Sequence, residues 1–143
     1  MIIAKVLWWI LFAGYLYMVL FVTVLGRAPG VLGSGTIMPL FSSYINAWKY
    51  SLYHEWKNIF LNYLMFVPFG FWLGIGSKSL RKLWKILLLA FTFSLIIETT
   101  QLYTSRGIFE LDDIMGNTIG AGIGFGIFSI FSTISRKLRG KKK

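Results

Sequence analysis

Residues 86–104 read ILLLAFTFSLIIETTQLYT. This stretch is apolar over most of its length. At a helical rise of about 1.5 Å per residue, it spans roughly the 30 Å of a bilayer's hydrocarbon core. Its one charged residue is Glu98. A charged side chain in hydrocarbon has no water to solvate it, so it is costly and points to function. The stretch therefore predicts a transmembrane helix that carries a candidate functional residue.

Three further apolar stretches of similar length lie near residues 6–26, 58–76 and 114–135. The composition agrees, because a chain of 143 residues that is 56% hydrophobic and only 14% charged cannot cover a water-facing surface. We therefore predict an all-α polytopic membrane protein, a four-helix bundle forming one domain over residues 1–143. The absence of cysteine and the single His54 exclude thiol chemistry and any site built on two histidines.

The orientation follows from basic residues near the helix ends, which collect on the cytoplasmic side. With four spans, the second connection and the C-terminal tail lie on the same side, and we expect both chain termini in the cytoplasm. The net charge of +10 lies mainly in these runs beside apolar segments, which favours anionic lipids at the tail over nucleic acid. The two runs are Lys78, Arg81, Lys82, Lys85 and Arg136, Lys137, Arg139, Lys141, Lys142, Lys143.

The long connection after the first span contains a second kind of pattern. Phe41, Ile45, Trp48, Leu52 and Trp56 recur at three- and four-residue intervals, which is the spacing of one helix face. Aromatic side chains prefer the head-group level of a membrane, so we predict an interfacial helix near residues 40–56 in the first outer loop. This helix is either a passive aromatic anchor or a lid over a site beneath it.

Polar residues gather toward the outer ends of the predicted spans. Glu98 and Gln101 share one face of the third helix, and Asn58 and Asn62 share one face of the second. If the helices converge, a charged cluster with carboxamides forms there. The candidate catalytic residues are Glu98, Arg106, Asp112 and Asp113, and the candidate ligand-binding residues are Asn58, Asn62, Gln101 and Asn117.

Such a cluster has two chemical uses and one structural use. Carboxylates and carboxamides are ligands for a hard divalent cation such as Mg²⁺ or Ca²⁺. Alternatively, Arg106 would hold an anionic head group while a carboxylate acts as general acid or base. The structural alternative is a buried Glu98–Arg106 pair, with Asp112 or Asp113 capping the last helix. No cofactor is established by the sequence, and the metal stays unknown.

Two segments resemble the signatures of VanZ-like membrane proteins. The first is Asn58-x-x-x-Asn62-x-x-x-Phe66-x-Pro68-x-Gly70, and the second is Glu98-x-x-Gln101 followed by Arg106, Asp112-Asp113 and Asn117-Thr118-x-Gly120. The resemblance implies a multi-pass protein of the bacterial cytoplasmic membrane, in a family named for a member that gives resistance to the glycopeptide teicoplanin. It implies no reaction. The matching polar positions are Asn62, Glu98, Gln101, Arg106, Asp112, Asp113 and Asn117.

These observations lead to three functional hypotheses. The first is a module acting at the outer face on an envelope lipid or a lipid-linked cell-wall component, contributing to glycopeptide resistance. The second is a membrane-embedded hydrolase or transferase that uses the carboxylates and an arginine. The third is a structural or scaffold subunit of the membrane, in which the polar residues fix the register of the bundle.

Overall fold

Four long helices make up most of the protein, whose computed structural model describes residues 2–30 and 35–140. All four are long and apolar enough to cross a membrane, which confirms the predicted all-α polytopic bundle. A short helix lies between the first two, and a 3₁₀ turn (Lys78–Leu80) precedes the third long helix. The elements are α1 (Ile2–Leu20, continued by a π-helical turn, Phe21–Leu25), α2 (Ser42–Lys49), α3 (Tyr53–Gly76), α4 (Leu83–Tyr103) and α5 (Leu111–Gly140). Residues 141–143 of the basic tail lie outside the described part.

The helix α2 is shorter than the interfacial helix predicted near 40–56. It ends at Lys49, and Ser51 adopts a left-handed backbone conformation with φ of 50°, which breaks the helix before α3 begins at Tyr53. Trp56 therefore belongs to α3. Within α2 the face is as predicted, because Ala47 is buried whereas Trp48 is 81% exposed.

All four long helices begin three to five residues earlier than the sequence predicted. They start at Ile2 instead of 6, Tyr53 instead of 58, Leu83 instead of 86 and Leu111 instead of 114. In α5 the first turn contains Asp112 and Asp113, and acidic side chains there complement the positive end of the helix dipole. The predicted starts followed the apolar stretches and so left these acids outside the helix.

A small parallel ladder joins the two connections that the sequence treated as irregular. Strand β1 (Ile37–Met38) pairs with β2 (Phe109–Glu110), and the Phe109 N–H donates to the Thr36 carbonyl at 3.0 Å. Further along, the Gly30 N–H donates to the Ser105 carbonyl at 2.8 Å. The connection after α1 is therefore laid against the connection that leads into α5.

The bundle is tightest where α3 crosses α5. A Cβ atom at Gly120 would overlap the carbonyl oxygen of Tyr63, and one at Gly124 would overlap that of Val67. Gly70 on α3 meets the α5 backbone at Ala121 in the same way. Small residues four apart allow this close backbone approach, which is how helices associate in lipid.

The apolar core lies beside this crossing. Phe66 and Phe69 of α3 pack against Phe93 of α4, with ring centroids 6.0 and 5.9 Å away, and Phe12 of α1 packs against Phe69 at 5.8 Å. Phe66 is completely buried. This aromatic cluster ties α1 and α4 to α3 and leaves the polar groups at one end of the bundle.

Candidate functional site

A polar cavity of about 220 Å³ lies at the end of the bundle where α1 and α4 finish and α3 and α5 begin, hereafter the cavity end. The basic connection between α3 and α4 is at the opposite end. Apolar side chains, including Ile59 and Met65, line part of the cavity. Its charged and carboxamide lining consists of Arg27, Glu55, Asn58, Asn62, Gln101, Glu110 and Asp113.

Several of these lining side chains lack a hydrogen-bond partner in the described part of the chain. Across residues 2–30 and 35–140, none is found for the guanidinium of Arg27, the carboxamides of Asn58 and Asn62, or the carboxylate of Asp113. Arg27 and Asn58 are exposed, and Asn62 and Asp113 are half-buried, so these groups are open to water or to a ligand. The cavity is therefore a place where water or a ligand satisfies several polar groups at once.

Gln101 is the most buried of these lining residues, with 3% of its surface exposed. Its Nε2 donates to the Thr23 carbonyl at 3.0 Å, which fixes the plane of the carboxamide. Its Oε1 has no hydrogen-bond partner among the described residues. The structure thus presents an oriented acceptor at the cavity wall.

The carboxylates of the cavity outnumber its cation. Arg27 interacts electrostatically with Glu98, Glu110 and Asp113, and it is the one basic residue of the described lining, whereas the acids there are Glu55, Glu110 and Asp113. Burial raises the pKa of Glu110, and the nearby charges of Glu55 and Asp112 add to that effect, while a hydrogen bond from Ser43 and the charge of Arg27 oppose it. With one positive and three negative side chains, the fully ionised lining would carry a charge of −2.

Glu98 stands behind the cavity wall and not in it. It is 1% exposed, and its Oε2 accepts the backbone N–H of Glu110 at 3.0 Å. This bond holds β2 against the end of α4 and so positions the Glu110 side chain. Glu98, the acid identified in the third span of the sequence, therefore positions the lining residue Glu110.

Arg106 does not pair with Glu98, and the alternative that expected this pair is wrong. Its Nη1 donates to the carbonyls of Val24 and Leu25 at 3.1 and 3.0 Å. α1 ends in a π-helical turn, with the Gly26 N–H donating to the Phe21 carbonyl at 2.7 Å. Because the last carbonyls of a helix lack partners within it, Arg106 serves as the cap for the end of α1.

Asp112 also holds backbone groups and does not line the cavity. Its Oδ1 accepts the N–H of Phe41 at 2.5 Å, and its Oδ2 accepts that of Ser43 at 2.9 Å. It therefore caps the start of α2, which the sequence did not predict, although it also lies in the first turn of α5. Ser43 in turn donates from Oγ to Glu110 Oε2 at 2.8 Å, so α2 is fixed to the cavity wall.

Asn117 lies deeper between α4 and α5. It is 2% exposed, and its Nδ2 donates to Ser94 Oγ at 2.8 Å, while its Oδ1 has no partner in the described part of the chain. Four of the eight predicted site residues thus line the cavity, and the other four hold its surroundings. The four lining residues are Asn58, Asn62, Gln101 and Asp113, and the supporting ones are Glu98, Arg106, Asp112 and Asn117.

Sequence reasoning missed three lining residues, which are Arg27, Glu55 and Glu110. A signal for Arg27 was present: it follows the first span on the side predicted to be external, where basic residues are under-represented. Glu55 was hidden because the sequence placed it in the interfacial helix. Glu110 lies in the connection before α5, and its approach to Glu98 depends on the β1–β2 ladder, which the sequence did not predict.

No three carboxylate or histidine side chains among residues 2–30 and 35–140 form a group that could hold a metal ion. A divalent cation would therefore need ligand oxygens from Asn58, Asn62 or Gln101 in addition to acids. Such carboxamide oxygens are ordinary ligands for Ca²⁺.

The fold and this cavity define a multi-pass helical membrane protein with a polar site at one end of the bundle. The chain belongs to the VanZ/LLP1 family, whose model matches residues 8–132. This match confirms the resemblance drawn from the two motif segments. Comparison with curated proteins and with solved structures gave no significant match.

Proposed function

We propose that this protein binds the polar head of an envelope lipid, or of a lipid-linked cell-wall component, at the outer face of the bacterial cytoplasmic membrane. The observation that carries this proposal is the polar cavity at one end of the bundle, in which Arg27, Asn62 and Asp113 have no hydrogen-bond partner among the described residues. The helices that surround it are apolar and span-length, so a ligand would reach it from the lipid or from the adjacent aqueous face. A lipid head group with its chains in the bilayer fits both routes.

The proposed orientation rests on charge. The exposed basic residues Lys78, Arg81 and Lys82 lie at the end opposite the cavity, and Arg136, Lys137 and Arg139 of α5 lie at the same end as these. Because basic residues near helix ends collect in the cytoplasm, the cavity end faces outward and both termini lie inside. The basic end of α5 would then contact anionic lipids of the inner leaflet.

The helix α2 fits this placement as an interfacial element. Its apolar side chains Ile45 and Trp48 are 58% and 81% exposed, and Tyr50 and Tyr53 after it are 59% and 81% exposed. Exposed aromatic residues are typical of the membrane head-group region. Since Asp112 caps α2 and Ser43 bonds to Glu110, a helix resting in that region is anchored directly to the cavity wall.

A role in glycopeptide response follows from the same site. A protein that occupies or withdraws a lipid-linked cell-wall component at the outer face would change the access of a lipophilic glycopeptide such as teicoplanin. Cells lacking the protein should be complemented by the wild type and not by Arg27→Gln or Asp113→Asn, with Gly126→Ala as the matched control. Equal teicoplanin susceptibility in all complemented strains, at equal protein levels, would exclude this role.

A second candidate function is hydrolysis or transfer on a lipid-linked substrate. It is favoured by Asp113, whose carboxylate lines the cavity without a hydrogen-bond partner in the described chain and lies near Arg27. Arg27 would hold a phosphate while a carboxylate moves a proton. Envelope lipids compared by mass spectrometry between wild-type and Asp113→Asn strains should then show a substrate that accumulates. Identical lipid profiles would exclude this reaction and leave binding as the proposed function.

A further inference from the structure

We infer that the head group recognised in the cavity carries a primary ammonium beside a phosphate. In this assignment the ammonium lies against the carboxylates of Glu110 and Asp113, and the phosphate lies against Arg27. The inference rests on the proposed function and specifies the chemistry of its ligand. Two sources share this chemistry: a phosphoethanolamine lipid, and a polyprenyl-linked sugar with a free amine next to its phosphate.

The charge balance of the lining favours a ligand with a positive group. An anionic ligand would meet three carboxylates and a single arginine, and like charges repel each other. A ligand carrying only a cation would leave Arg27, which has no hydrogen-bond partner among the described residues, unused. A zwitterionic group matches both signs.

The acceptors of the cavity also suit an ammonium. An ammonium has three N–H donors and no acceptor. Gln101 is 3% exposed and held by its bond to Thr23, so its Oε1 is an oriented acceptor without a partner among the described residues. Asp113 and Glu110 add charged acceptors to the lining, and Ser43 holds Glu110 in place. The Gln101 oxygen lies near the Arg27 guanidinium, since both would contact a Cβ atom at Gly107, and it is a further acceptor for an N–H donor of the ligand.

The spacing of these acids favours an ammonium over a compact metal ion. A metal ion draws several ligand oxygens to about 2.0–2.6 Å, whereas each N–H of an ammonium takes one acceptor at about 2.7–2.9 Å. Within the described ranges, no three acidic or histidine side chains converge closely enough for a metal. A cavity of about 220 Å³ has room for this larger cation.

Native mass spectrometry of the purified full-length protein tests the inference. The probes are phosphatidylethanolamine, its N-acetylated form and phosphatidylglycerol, together with a polyprenyl-linked amino-sugar phosphate bearing either a free or an acetylated amine. We expect the free-amine form of one probe pair to bind about tenfold more tightly than its acetylated form, the size of a lost charge-assisted hydrogen bond. The pair that shows this preference identifies the source.

Two variants make the result specific. Asp113→Asn removes one carboxylate from the cavity and should abolish the preference for the amine, whereas Asp112→Asn makes the same change one residue away, outside the lining, and should keep it. Binding that is lost in Arg27→Gln but shows no amine preference would overturn this inference and leave the proposed function standing. Binding of every probe that is indifferent to Arg27→Gln and Asp113→Asn would overturn both.

Discussion

Asp112 and Asp113 are consecutive residues with different environments, because Asp113 lines the polar cavity whereas Asp112 accepts two backbone N–H groups at the start of α2. Side chains of adjacent helical residues point about 100° apart, so one turn of α5 serves both places. Asp112 therefore holds α2 in place, whereas Asp113 contributes to the chemistry of the cavity. Substitutions at the two positions should therefore have separable effects.

Asp112→Ala should destabilise the protein by about 1–2 kcal/mol, the usual cost of losing a helix cap. The reason is that the N–H groups of Phe41 and Ser43 would lose their acceptor. The measurement is the thermal unfolding midpoint in detergent, with Asp113→Ala as the matched variant. A larger loss of stability in Asp113→Ala than in Asp112→Ala would contradict the assignment.

Gly120→Ala should destabilise the bundle by about 1–3 kcal/mol, as overpacking of a tight contact does. The added Cβ would overlap the Tyr63 carbonyl oxygen and push α5 away from α3. Gly126→Ala is the control, since nothing lies within 4 Å of a Cβ there. Equal unfolding midpoints for the two alanine variants would show that the α3–α5 crossing is looser than described.

Glu110→Gln should raise stability at neutral pH and leave it unchanged in acid. Burial raises the pKa of Glu110, so the folded protein retains that proton to higher pH than the unfolded chain does. Its contribution to stability is complete below the ordinary glutamate value of about 4.3 and is lost as the pH rises through the raised pKa. Glutamine keeps an acceptor for Ser43 and cannot ionise, so it avoids this loss.

Unfolding midpoints of wild type and Glu110→Gln, measured across this pH range, test that sign. The environment that determines it includes Glu55, Asp112 and Arg27 as well as Ser43. The two curves should separate as the pH rises, with the variant above the wild type. If the wild type is more stable than Glu110→Gln at neutral pH, the folded protein stabilises the ionised carboxylate of Glu110, and the predicted sign is wrong.

The orientation predicts opposite labelling of two single-cysteine variants, which the cysteine-free chain makes simple to produce. Thr104→Cys lies at the cavity end and Ser79→Cys in the basic connection, and both native side chains are exposed. A membrane-impermeant thiol reagent added to intact cells freed of any outer barrier should label Thr104→Cys alone. Labelling of Ser79→Cys alone would show that the orientation in the membrane is the reverse of the proposed one.

Much of the fold followed from the sequence because hydrocarbon thickness fixes the length of a spanning helix. The four spans and the shared helix face of Ile45 and Trp48 in α2 depend on local periodicity and composition, which one sequence contains. The breaks in the chain were less predictable. The left-handed turn at Ser51 and the π-helical end of α1 depend on contacts with other segments.

The candidate site followed only in part, for the same reason. Residues on regular helix faces, such as Asn62 and Gln101, were placed correctly because spacing determines the face. Arg106 was assigned to the charged cluster, yet it caps α1, and the direction of a long side chain after a helix end is set by tertiary contacts. Glu110 reached the cavity through a two-residue ladder that no local pattern indicates.

The central claim is that the cavity at this end of the bundle, proposed to face outward, holds the polar head of a lipid-linked ligand. The most direct measurement is a crystal structure from a lipidic phase doped with native bacterial envelope lipids. The account predicts density for a head group in contact with Arg27, Asn62 and Asp113. A closed cavity in which Arg27 pairs directly with Asp113, with no room for a ligand, would contradict it.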